Sequence, residues 1–169
     1  MARTYYKLLY RLDGMDGLLL WCTNGSDGVA TTTDNCVPSF KTEADLLAYA
    51  DASSVVVKEE QPVLHDLDAV VAWLADPHGE TIVCSELLAA WNLFGDIARS
   101  CPQHTVSFGD RDKQVGVVYD KLLYGHNLPS ITPAGAHYTP EWSGDEITSL
   151  RQILQEGLDI FVAARREQT

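Results

Sequence analysis

The tetrad Ser143-Gly144-Asp145-Glu146 constrains the fold more than any other stretch, because it starts a helix at a defined residue. In such a capping box the serine hydroxyl accepts from an orphan amide of the first turn, and the glutamate reaches back to the serine amide. Behind it Ile147, Leu150, Ile153, Leu154, Leu158, Phe161 and Val162 recur at helical spacing, which predicts a helix to about Arg165 with one apolar side. Arg165 and Arg166 suit the negative end of its dipole. Trp142, just before the capping serine, fits a hydrophobic staple with Ile147 or a neighbour.

The N-terminal part reads differently. Tyr5, Tyr6, Leu8, Leu9 and Tyr10 predict a strand over 4–12, and Leu18 to Thr23 predict a second. The turn dipeptides Asp13-Gly14 and Asp16-Gly17 between them predict a hairpin. Asn24-Gly25 and Asp27-Gly28 mark a further turn toward a Thr-rich edge strand at 29–33. Thr42, with Asp45 three residues on, caps a helix over 43–51, and Val55, Val56 and Val57 predict a strand over 54–58. Asp66 caps a helix carrying Leu67, Val70, Val71 and Leu74, which ends at Asp76-Pro77. Leu87, Leu88, Trp91, Phe94 and Ile97 put Trp91 on the apolar side of a helix over 84–100, as Trp73 is on the preceding one. Residues 104–108 and 115–119 read as strands, and 125–140, rich in Pro, Gly, Asn and Thr, as an irregular connection. Strands first and helices later predict an α+β fold, with an antiparallel sheet from the N-terminal half packed against helices and a long C-terminal helix. A length of 169 residues, 46% hydrophobic and 21% charged, fits one domain over 1–169.

Charge is the least ordinary global property. The formal net charge is −12, and it is segregated. Fifteen acids lie between Asp13 and Asp96 against Lys41 and Lys58 alone, whereas the rest of the chain holds nine acids and ten bases. Direct binding to nucleic acid is disfavoured, because a phosphate backbone would be repelled. A surface that meets a basic partner gains association rate from such segregation, while solubility alone is the plainer explanation. No secretory signal and no run of about 20 apolar residues is present, which makes the cytoplasm the expected compartment and a membrane role unexpected.

Catalytic signatures are missing. There is no Gly-rich phosphate loop, no G-x-S-x-G elbow and no H-E-x-x-H, so no cofactor is expected. Cys22, Cys36, Cys84 and Cys101 form no Cys-x-x-Cys pair and read as reduced thiols. His126 and His137 lie in the irregular segment, where an acid–base set with Lys121 is conceivable, although ordinary polar loop residues are the plainer reading. Asp110-Arg111-Asp112 is an unattractive metal site because of its arginine, and no metal is expected.

Trp91-Asn92-Leu93-Phe94-Gly95-Asp96-Ile97 is followed by Tyr119-Asp120-Lys121-Leu122-Leu123-Tyr124-Gly125-His126-Asn127-Leu128-Pro129, then by Tyr138-Thr139-Pro140-Glu141-Trp142-Ser143 and Gly157-Leu158. This set resembles small immunity proteins of bacterial contact-dependent growth inhibition and other polymorphic toxin systems. The resemblance covers roughly the C-terminal half. It implies a protein that binds the C-terminal domain of a cognate toxin, often a nuclease with a basic surface, and blocks its active site. Tyr119, Asp120, Lys121, Asn127, Pro129 and Trp142 read as residues that hold the fold. Partner-binding residues do not transfer from the family, so charge and turn position alone nominate Asp13, Asp16, Asp27, Asp34, Glu59, Glu60, Asp66 and Asp68. Trp21 reads as core or as an interface anchor. The alternatives are a small intracellular hydrolase using 119–137 and an acidic nucleic-acid mimic acting as an adaptor.

Overall fold

A computed structural model of the protein describes residues 2–104 and 113–168. Strands β1 (Thr4–Leu12) and β2 (Met15–Thr23) form the expected hairpin, closed by Asp13 and Gly14 at φ of 56° and 70°. Positive φ at both turn residues is the geometry whose twist matches that of the strands, and it explains the Asp-Gly pair. Asp16-Gly17 is not a second turn. It lies inside β2, where a Cβ on Gly17 would collide with the Tyr10 ring across the ladder.

The edge strand is shorter and earlier than its Thr-rich sequence implied: β3 is Asp27–Val29, antiparallel to β2. Short strand β4 (Val37–Ser39) leads to helix α1 (Glu43–Ala52), whose amide at Asp45 is capped by Thr42 Oγ1 at 3.1 Å. The expected strand at 54–58 does not form: Ser54 turns at a φ of 55°, and Val57 makes a single bridge to Tyr5. The chain rejoins the sheet as β5 (Leu64–Asp66), parallel to β1, giving the order β3-β2-β1-β5. Asp66 then caps α2 (Leu67–Ala75).

After a 3-10 turn at Gly79–Thr81 come α3 (Cys84–Ser100) and then α4 (Lys113–Gly125). The expected strand at 115–119 is therefore helical. Its β-branched valines are overruled because Val118 and Leu122, one turn apart, are both fully buried against the helical layer. The expected strand at 104–108 lies largely outside the described residues. The C-terminal helix α5 (Gly144–Ala164) starts at Ser143 with both capping-box bonds present, and β6 (Arg165–Glu167) runs parallel to β4.

Burial explains the layering. Leu8, Tyr10, Leu12 and Leu19 face Leu87, Trp91, Phe94 and Phe161 of the helical layer, and each such side chain contributes about 1.5–3 kcal/mol by leaving water. The opposite face of the sheet is also covered, by α1, through Leu18, Leu20, Phe40 and Leu46. Helix α3 is central, packed against α2, α4, α5 and β3. Gly157 lets α5 approach it, since a Cβ there would overlap the Phe94 side chain. Trp142 and Ile147 both pack on the core, as a staple requires.

Candidate partner-binding site

Between Val57 and Leu64 the chain spends seven residue steps while β1 advances four, from Tyr5 to Leu9. The surplus bulges away from the sheet as an arch over 58–63, turned by a bond from the Glu60 amide to the Lys58 carbonyl at 3.0 Å. Between the arch, the sheet and α3 lies a groove of about 500 Å3. Tyr6 and Trp21 line it, adjacent across β1 and β2 with ring centroids 5.5 Å apart. Asn92, Leu93 and Asp96 of α3 form one wall, Pro62, Val63 and His65 the other. Asp27 and Glu60 complete the lining, both exposed.

Asp96 is the buried carboxylate of this groove, 8% exposed. The Trp21 indole N–H donates to its Oδ2 at 2.8 Å, and Arg99 donates to Oδ1. Burial raises its pKa above the usual 3.8, against the opposing pull of the Trp21 bond and Arg99. Burial also lowers the pKa of His65, whose Nδ1 lies 3.2 Å from the Val63 carbonyl oxygen. Two groups with pKa values displaced in a cleft mark a site worth functional attention.

The eight nominated acids do not form one patch. Asp27 and Glu60 line the groove, and Glu59 is exposed beside them on the arch. Asp13, Asp16, Asp66 and Asp68 sit at the other end of β1 and are largely occupied with the fold. Asp68 accepts from the Asp13 and Gly14 amides at 2.7 and 2.8 Å, pinning the hairpin turn to α2. Asp16 pairs with Arg11 at 2.7 Å, and that bond lowers its pKa. Asp66 Oδ1 accepts from the Ala69 amide at 3.1 Å as the cap of α2. Asp34 is exposed in the loop before β4. Asp96 was not among the nominated residues, and only the tertiary fold aims it at Trp21.

Of the C-terminal residues expected to hold the fold, Tyr119, Lys121, Asn127 and Trp142 do so, whereas Asp120 and Pro129 are exposed. Lys121 Nζ donates to the Glu141 carbonyl at 2.7 Å and to Glu146 Oε2 at 2.8 Å, beneath Trp142. Asn127, at φ 55°, donates to the Gly125 and Tyr138 carbonyls and accepts from the Tyr138 amide at 2.7 Å. Tyr119 donates to Asn92 Oδ1 at 2.9 Å. His137 lines a separate apolar groove of about 290 Å3 with Tyr124, Ile131 and Tyr138, and His126 is not part of that lining. All four cysteines are free; burial raises the thiol pKa of Cys22, Cys84 and Cys101, which disfavours the reactive thiolate. Among the described residues no group of three His, Cys, Asp or Glu is arranged to hold a metal ion, and Asp110 and Asp112 lie outside them. Nor, among the described residues, is any helix long and apolar enough to cross a membrane.

No protein-family model matches the chain, and no curated protein matches it. Among solved structures the chain is similar to the SatS C-terminal domain, crystallised in complex with bromine, at a TM-score of 0.55 and 12% identity. The likeness covers 97% of this chain and 94% of that one. It is a likeness of fold, an α+β arrangement shared nearly end to end.

Proposed function

We propose that the protein is a binding protein that neutralises a basic partner, and that the partner is a cognate toxin domain, a nuclease with a positively charged active-site surface. The observation that carries this reading is the groove beneath the arch, which combines two aromatic rings with the carboxylates of Asp27, Glu60 and Asp96. Aromatic groups dominate the energetics of protein interfaces, while exposed carboxylates steer a cationic partner and set its register. The groove belongs to the acid-rich stretch between Asp13 and Asp96, so the long-range field and the local cavity favour the same class of partner. The resemblance of the C-terminal segments to immunity proteins supplies the toxin as partner.

Co-expression of the toxin domain encoded beside this gene tests the reading. Cells carrying both proteins are expected to grow, and the purified pair to form a one-to-one complex whose association slows as salt rises. Failure to protect cells that make the toxin would sink it.

A further inference from the structure

We propose that the groove beneath the arch takes an extended polypeptide segment of the partner through one arginine, whose flanking peptide groups pair with the main chain of Lys7. This inference rests on the groove being the partner-binding site, and it specifies the chemistry of what enters.

The main-chain argument starts from the ladder. Leu20 stands opposite Lys7, and its carbonyl accepts from the Ala30 amide at 2.8 Å, away from β1. Lys7 and Leu20 are therefore a pair without mutual hydrogen bonds, and the N–H and C=O of Lys7 point to the other side of β1. The Tyr5 carbonyl, two residues earlier, points the same way and accepts from the Lys58 amide at 2.9 Å. At Lys7 the arch has already left the sheet, and among the described residues no main-chain bond joins Lys7 to it. A donor and an acceptor spaced for a strand thus face the cavity, at a gap in the strand edge. Strand edges of this kind capture extended peptides through their main chain.

The side-chain chemistry selects a cation. The Lys7 ammonium is turned to the opposite face, where Nζ meets Glu43 Oε1 at 2.6 Å and the side chain is 8% exposed. It therefore brings main chain to the groove and no unpaired positive charge. Arg99 is committed to Asp96 and to the Asp27 carbonyl, and the lowered pKa of His65 favours the neutral ring. Asp27 and Glu60 have no side-chain partner among the described residues. Tyr6 and Trp21 offer ring surface beside these carboxylates. A guanidinium suits that combination better than an ammonium, because it is planar, weakly hydrated, stacks on rings and can bond a carboxylate with two N–H groups.

The test uses N-acetyl-arginine N-methylamide, which carries one guanidinium between two peptide groups, titrated into the full-length protein with amide and indole resonances observed. The Lys7 amide and the Trp21 indole N–H are expected to shift together and saturably. The uncharged citrulline counterpart should bind about tenfold more weakly, as should the D27N/E60Q variant, whose exposed substitutions leave the fold intact. No shift, equal response to the citrulline compound, or shifts scattered over the acidic surface without saturation would each overturn the proposal. The toxin co-expression experiment is read separately. Protection by the wild-type protein with no arginine probe seated at Lys7 removes this inference alone; a seated probe without protection removes the toxin reading alone.

Discussion

Two sides of α3 face regions built on opposite rules. Toward α4 and α5, polar side chains are consumed internally: Asn127 makes three bonds that tie the 125–140 connection to itself, and Lys121 locks the capping box of α5. Toward the groove, Asp27 and Glu60 stand exposed beside aromatic rings and a strand edge with an open position. The first arrangement lowers the free energy of the folded chain. The second leaves interactions unmade that a partner can complete. The contrast separates scaffold from proposed contact surface more sharply than net charge does, because Asp66 and Asp68, carboxylates too, belong to the scaffold.

The largest effect expected on stability is at the scaffold. Asn127→Ala removes three hydrogen bonds at a left-handed backbone position and should cost about 3 kcal/mol, read as a lower urea midpoint with an unchanged slope. Partner affinity of the folded variant should stay at the wild-type level; a large loss would break the division. Gly157→Ala comes next. An exposed helical Gly→Ala would stabilise by up to about 1 kcal/mol, but here the methyl meets Phe94, and a net loss of about 2 kcal/mol is expected. A gain in midpoint would show that α3 and α5 are less tightly apposed than described.

Acid should act on both regions through different groups. His65 has a folded-state pKa below its ordinary 6.5, so its stability contribution is present above pH 6.5 and is lost as pH falls through the folded value. Glu146 is held below its ordinary 4.5: burial acts to raise it, but the bonds from Lys121 and Ser143 together outweigh that. Its contribution is lost at lower pH still. Asp96, raised by burial, works in the opposite sense, its contribution declining as pH rises through its folded value. Urea midpoints should therefore fall as pH drops below 6.5, before the carboxylates titrate, and H65Q should remove that fall. A midpoint indifferent to pH between 7 and 5 would contradict the burial of His65.

Much of the frame was readable from residues whose physics is local. The Asp13-Gly14 turn, the Thr42 and Asp66 caps and the Ser143 box each satisfy backbone groups within a few residues, so their sequence signals survive in the structure. What escaped is nonlocal. Leu64–Asp66 is too short to look like a strand, and only β1 makes it one; Val115, Val117 and Val118 look β-prone until Val118 and Leu122 meet the core. The groove was half legible. Asp27 and Glu60 stood out as exposed acids near turns, but Asp96 sits in a helix otherwise read for its apolar face, and its bond to Trp21 spans 75 residues.

The smallest expected effect on stability accompanies the most direct test. In D27N/E60Q the urea midpoint should correspond to a change within about 0.5 kcal/mol, as for surface substitutions away from structural features. The association rate with the toxin domain at low salt should nonetheless fall about tenfold. An unchanged association rate in that variant, with wild-type protein still binding the toxin, would contradict the claim that the groove is where the partner docks.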